Sequence, residues 1–319
     1  MRKVVFLSLI LCVILFVACD RLDKEGSGVV VSETRDVFPF DTIQVCCGMA
    51  LYLTQAEEHS LRIEAEDNLI EDIVNDRSGS TMAVEFRGQG TTNYRPTEPV
   101  KVYVTMPNIE GVAVSGGGLL EAEQIDAEKL AITLSGGSQG RIDSAIATEL
   151  AVTVSGGGHF ESDNLEAGEA LFELSGGSNT GIEALLADEV HFSVSGGGRV
   201  DGQRILAKML KLDLSGGSQA HLAQFAGDNL EAVISGGGRA EIAGDVESQL
   251  IDLSGGSQFS GADLLSRLTE IRGNGDATIW ATESLDADLS GGAIVEYFGN
   301  PQIKSKLSGG SEVKPLGGR

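Results

Sequence analysis

The tripeptide Ser-Gly-Gly begins at Ser115, Ser135, Ser155, Ser175, Ser195, Ser215, Ser235, Ser254, Ser290 and Ser308. The marks stand 20 residues apart six times, then 19. Arg272-Gly273-Asn274-Gly275 fills the one gap, and the remaining steps are 18 residues. Units this short cannot each close a core of their own. They bury apolar surface only by stacking on one another. The residue after each mark alternates: Gly118, Ser138, Gly158, Ser178, Gly198, Ser218, Gly238, Ser257. A pattern of about 40 residues is therefore laid over the shorter one.

Aligning the units on their serines shows which positions face inward. Before each serine stands an aliphatic residue: Val114, Leu134, Val154, Leu174, Val194, Leu214, Ile234, Leu253. Two residues earlier come Val112, Ile132, Val152, Phe172, Phe192 and Leu212. Apolar residues at every second position mark a strand with one buried face. Further columns are Ile125, Ala145, Leu165, Leu185, Ile205, Phe225, and Ala122, Ile142, Ile182, Leu222, Ile242. An alanine column, Ala127 to Ala207, suits a tight corner, and the glycine pairs suit another. Three alternating stretches per unit predict an all-β fold. The expected form is a right-handed parallel β-helix, a three-faced solenoid of about 20 and then 18 residues per coil. Coils about 4.8 Å apart would make a rod of about 50 Å.

Residues 33–110 lack the mark but alternate in Ile43-Gln44-Val45, Leu51-Tyr52-Leu53 and Val100 to Val104. They read as irregular β coils capping one end, with a short helical turn between Asn68 and Asn75. Residues 111–316 read as the repeat solenoid, with 296–316 as an opposite cap. Residues 33–316 form one continuous domain in this reading.

Residues 1–18 read as an export signal. Met1-Arg2-Lys3 is basic, Val4 to Val17 is apolar, and Ala18 precedes Cys19. A small residue before cysteine resembles a bacterial lipoprotein signal, in which the cysteine becomes the acylated first residue. Phe16 departs from the leucine usual in that pattern. Several acyl chains on Cys19 would hold the chain on a membrane. Residues 19–32 then read as the lipidated cysteine and a flexible tether. Of the other cysteines, Cys12 leaves with the signal, and Cys46 and Cys47 are adjacent. In a strand they would point to opposite faces and a bond between them would be strained, so they read as reduced thiols, one of them buried. A vicinal redox pair or a metal site is the alternative, with no other cysteine or nearby histidine to support it.

The formal net charge of −24 argues against unaided binding to nucleic acid or anionic lipid headgroups. Carboxylates line up on neighbouring coils: Asp143, Asp163 and Glu183 in one column, with Glu123, and Glu149, Glu169 and Glu189 in another. Stacked carboxylates repel, and a cation would relieve them, so these are the candidates for calcium. The alternatives are solvated acidic stripes or a glycan-cleaving pair. Gly136-Gly137-Ser138-Gln139-Gly140 matches a nucleophile elbow but falls at a repeated corner, without a shared histidine column. No glycine run is followed by the Lys-Ser/Thr of a phosphate loop. No catalytic residue, metal or cofactor is assigned.

Three stretches carry a family resemblance. They are Phe40 to Val45 with Leu51-Tyr52-Leu53-Thr54-Gln55, then Val100 to Ile109 running into Val114-Ser115-Gly116-Gly117-Gly118, and Tyr297-Phe298-Gly299-Asn300-Pro301 before Leu307-Ser308-Gly309-Gly310-Ser311. Over residues 36–316 the chain resembles the auto-transporter adhesin, head GIN domain family of bacterial envelope proteins. The resemblance implies a right-handed β-helix, often behind a lipoprotein signal, with no catalytic residues to carry over. This chain departs in its longer, more regular Ser-Gly-Gly array. Asp41-Thr42-Ile43 and Asp143-Ser144-Ala145 also resemble a bacterial O-glycosylation signal.

The resulting expectation is a non-enzymatic envelope solenoid, anchored through Cys19 to the outer membrane on its surface or periplasmic side. Its partner would be extracellular glycan or protein, with no nucleic acid. An envelope-internal scaffold and a polysaccharide-acting enzyme are the rival readings.

Overall fold

The computed structural model describes residues 22–88 and 91–318. The N-terminal part supplies β1 (Leu22–Glu25), β2 (Val30–Arg35), β3 (Thr42–Val45), β4 (Ala50–Gln55) and β5 (Ser60–Glu66). A 3-10 turn at Ile70–Asp72 leads to β6 (Ile73–Ser78), β7 (Thr81–Phe86), β8 (Thr92–Arg95), β9 (Lys101–Met106) and β10 (Gly111–Val114). Long strands follow: β11 (Leu119–Leu134), β12 (Gln139–Val154), β13 (His159–Leu174), β14 (Asn179–Val194) and β15 (Arg199–Leu214). After them come β16 (Gln219–Ile234), β17 (Arg239–Leu253), β18 (Gln258–Gly273) and β19 (Asp276–Leu289). Last are β20 (Ile294–Phe298), β21 (Gln302–Leu307) and β22 (Glu312–Gly317).

Each long strand is one coil, paired in parallel with the next. The β11–β12 ladder joins Leu119 to Gln139 and Leu134 to Val154, an offset of one repeat. It skips Glu123 opposite Asp143 and Glu128 opposite Thr148. Two breaks and the Ser-Gly-Gly turn divide each coil into three stretches, as the three-faced solenoid requires. Bulges interrupt the ladder in the later coils, between β16 and β19 and again between β20 and β22.

The predicted columns face inward. Phe172, Phe192, Leu212, Ile142, Leu222, Ile205 and Phe225 are fully buried. Phe172 and Phe192 stack coil on coil, with centroids 5.0 Å apart. In each Ser-Gly-Gly the first glycine has positive φ, from +64° at Gly136 to +80° at Gly156. A Cβ on Gly156 would stand 3.1 Å from the nitrogen of Gly136 below it. Side-chain-free backbone is what allows this corner to stack.

The double period has a steric cause inside each coil. A Cβ at Gly158 would meet Val154 Cγ1 at 2.9 Å, one at Gly198 would meet Val194 Cγ1 at 2.8 Å, and one at Gly238 would meet Ile234 Cγ2 at 2.8 Å. Where the mark is preceded by Leu134 or Leu174, branching lies one carbon further out. Those corners hold Ser138 and Ser178, whose hydroxyls donate to the carbonyls of Ser135 and Ser175 at 2.7 and 2.9 Å. β-Branched residues thus go with glycine and leucine with serine.

The N-terminal region forms a cap that begins as a coil. β3 pairs with β10, and β4 with β11, both in parallel. Antiparallel strands then turn the sheets off: β5 beside β9, β2 beside β5, and β6 beside β7. Buried Glu66 ties the cap together. Its carboxylate accepts from the Gly28 amide at 2.7 Å, the Thr97 amide at 3.0 Å and the Thr97 hydroxyl at 2.5 Å.

Three expectations change. The tether expected over 19–32 is, from Leu22 onward, β1 paired with β8 and the start of β2 paired with β5. Polar composition suggested flexibility, but an edge strand needs only backbone pairing, and its side chains can stay polar. The cap expected over 296–316 instead continues the stack, with β21 on β19 and β22 on β20. Ile303 and Leu307 occupy core columns there and are each 45% exposed. Cys46 and Cys47 are joined in a disulfide rather than reduced, and neither is buried. They lie in the turn after β3, where strand alternation does not apply. The parallel register sets Cys46-Cys47-Gly48-Met49 on Ser115-Gly116-Gly117-Gly118, and Cys47 takes φ +66° in the glycine column.

Candidate functional site

The acidic columns run along the outside of the stack, interleaved with bases. Arg141 bridges Asp143 at 3.0 Å, Asp163 at 2.6 Å and Glu161 at 3.6 Å. Lys129 pairs with Glu149 at 2.8 Å, and Lys211 pairs with Glu189. Glu169 and Glu183 stand exposed between these pairs. Among the described residues no three histidine, cysteine or acidic groups converge to hold a metal ion. Ser138 is fully buried with its hydroxyl committed to Ser135, and the His159 ring engages Glu161 at 2.8 Å. No nucleophile–base pair forms there. Cys19 lies outside the described residues.

The structure assembles a different site where cap meets solenoid. β4 follows β11 only as far as Leu53 opposite Ala122. Beyond that the Gln55 side chain takes over. It accepts from the Asp126 amide at 2.7 Å and donates to the carbonyls of Asp126 at 2.7 Å and Pro107 at 2.9 Å. Between the diverging strands opens a cleft of about 590 Å³, lined by Tyr52, Thr54, Glu121, Glu123, Gln124 and Arg141 among others.

The register explains the row of side chains beside it. Across β5, β9, β4, β11 and β12 stand Arg62, Tyr103, Tyr52, Glu121 and Arg141. Tyr52 stacks on Tyr103 at 5.0 Å and 18°. The Arg62 guanidinium lies 3.8 Å from the Tyr103 ring centre on the far side, and the Tyr103 hydroxyl donates to Glu64 at 3.1 Å. Arg62, hydrogen-bonded to Glu64, holds that carboxyl below its ordinary range. Tyr52 is thus braced from behind, and its other face is on the side of Glu121 and the cleft. Among the described residues, the side chains of Thr54, Glu121, Glu123 and Gln124 have no hydrogen-bond or ion-pair partner.

Two other surfaces stand out. A groove of about 450 Å³ runs past Glu149, Glu169 and Glu189, with Ala131, Ala151 and Leu171 in its floor. On the middle stretch of the coils Ile146, Leu186 and Leu206 form an exposed apolar stripe interrupted by Glu166. The sequence reading missed the junction cleft. Its signal was present in Leu51-Tyr52-Leu53 and Val102-Tyr103-Val104, two strands whose outward residue is a tyrosine.

A family model described as "Putative auto-transporter adhesin, head GIN domain" matches residues 39–203 and 200–301. Among solved structures, a putative adhesin from Parabacteroides distasonis ATCC 8503 is 12% identical, covering 92% of this chain and 100% of that one, with a TM-score of 0.40. A putative lipid binding protein from the same organism is 15% identical, covering 92% and 99%, with a TM-score of 0.39. A putative adhesin from Bacteroides fragilis NCTC 9343 is 18% identical, covering 93% and 100%, with a TM-score of 0.31. No curated protein matches the chain.

Proposed function

We propose a function from one premise: the chain belongs to the auto-transporter adhesin, head GIN domain family, whose model spans most of its length. The protein is a non-enzymatic β-solenoid of the bacterial cell envelope. It is held to the outer membrane by acyl chains on Cys19 and presents its outer faces to glycan or protein. The observation that carries this is the family match over a stack with one apolar core, whose charged side chains, Glu66 apart, stay out of that core among the described residues. The lipoprotein-like Ala18-Cys19 junction supports the anchor.

Protease treatment of intact cells tests the surface reading. Loss of the protein, with an internal control preserved, is the expected result. Protection in intact cells, together with cleavage in lysed ones, would favour an envelope-internal scaffold instead. Cys19→Ala should release the protein from the membrane fraction. A variant that still sediments with membranes would remove the lipid assignment.

A further inference from the structure

We propose that the cleft between Tyr52 and Arg141 is a binding subsite for a neutral saccharide. This rests on the reading of the chain as an envelope binding protein, and it places the site at the cap junction rather than along the repeat. A pyranose ring has an apolar C–H face and a rim of hydroxyls that both donate and accept. Its partially positive C–H groups suit the negative face of an aromatic ring. The Tyr52 ring supplies that face and is fixed by Tyr103 behind it. The rim needs planar acceptors and donors that are not already used. Glu121 and Glu123 offer acceptors, and Thr54 and Gln124 offer both kinds. A volume of about 590 Å³ falls within the range of small-ligand sites.

Charge narrows the class. Glu121, Glu123 and Asp143 face one guanidinium, Arg141, which Asp143 and Asp163 already engage. A uronic acid or sulfated sugar would bring its anion against unpaired carboxylates. A cationic peptide would satisfy the carboxylates and its carbonyls could accept from Thr54 and Gln124, so it is the rival occupant that the test must separate.

Saturation-transfer difference NMR on the purified full chain tests this. The neutral probes are maltose, cellobiose and lactose, the anionic probe is digalacturonate, and the rival is trilysine. Transfer to the ring C–H protons of at least one neutral disaccharide is expected. Tyr52→Ala should weaken it roughly tenfold, the scale of one aromatic contact, while Tyr52→Phe retains it. Glu123→Gln, which alters charge but little shape, should also weaken binding several-fold, and thermal melts establish that each variant is folded. No transfer from any neutral probe would overturn the proposal. So would transfer unchanged by both Tyr52→Ala and Glu123→Gln, equal binding of digalacturonate, or binding of trilysine alone. If sugar transfer fails while intact cells still lose the protein to protease, the cleft is wrong and the surface reading stands. If transfer holds while intact cells protect the protein, the surface reading fails and the cleft stands.

Discussion

Cys47 is the one described non-glycine residue with positive φ, and it sits where the other corners of the stack place glycine. A side chain tolerated there must be held by something, and the bond to Cys46 does so. The native protein should therefore take up no maleimide at these positions, and two equivalents after reduction. Labelling without reductant would show that the thiols are free. Glu66 is the second residue on which local structure turns. Burial pushes its carboxyl up, but hydrogen bonds from the Thr97 hydroxyl and the amides of Gly28, Thr97 and Glu98 more than reverse this and hold it below its ordinary value of 4.5. A lowered folded-state value means that its stabilisation is complete above the unfolded value and is lost as pH falls through the folded one. The melting temperature of the cap should fall below about pH 4.5. Glu66→Gln should flatten that dependence. It should also lower stability at neutral pH by about 1–3 kcal/mol, the cost of leaving buried amides poorly paired. A wild-type melting profile independent of acid pH would contradict this role.

Within a coil, the choice of glycine or serine after the mark depends on the branching of the residue before it. Gly158 does not have positive φ, so its backbone would accept serine; the nearest obstacle to a Cβ is Val154 Cγ1 at 2.9 Å, with the Ser138 and Ser155 carbonyl oxygens at 3.3 and 3.4 Å. Gly158→Ser should destabilise by about 1–3 kcal/mol through overpacking. Adding Val154→Leu should restore most of that loss, because the Leu134–Ser138 and Leu174–Ser178 corners already hold the combination. A double-mutant cycle measures this directly. Additive effects would mean that the two positions do not compete for space. The apolar interior of a coil is equally specific. Removing Phe172, which stacks on Phe192, would leave a cavity of the kind that costs about 3–5 kcal/mol.

Across the molecule, each coil contacts mainly its two neighbours, so length should be adjustable in whole coils. From β3 through β10 to β19 and β21 the ladder takes eleven steps, a rod of about 50 Å. Deleting residues 139–158 removes one repeat and joins Ser138 to His159, leaving every inward column in phase. That variant should fold and unfold cooperatively. Deleting residues 139–159 shifts the following strand by one residue and turns its apolar set outward. It should lose the cooperative transition, seen by circular dichroism and calorimetry. If both deletions behave alike, register does not govern the stack.

The period of the repeat determined the class of fold, the inward columns and the length of most coils. These follow from local alternation, which a strand keeps wherever it is placed. At the unmarked coil the register sets Asn274, rather than Arg272, level with Ser254 and Ser290, so the two steps expected as 18 residues are 20 and 16. The residues named from those columns, such as Phe172, Leu185 and Ile205, are buried as the alternation requires. The acid columns were also legible, because residues one repeat apart become neighbours. Their pairing with Arg141, Lys129 and Lys211 was not, because long side chains choose partners across coils and along them. Only the tertiary structure decided the rest. The first coil is interrupted between β4 and β10 by the cap strands, so Arg62, Tyr103, Tyr52 and Glu121 meet in an order that no sequence period announces. Residues 22–25 and 30–35, read as part of a tether and its edge, become strands because the cap offers them backbone partners. Cys46 and Cys47 bond because stacking set them at a corner instead of within a strand.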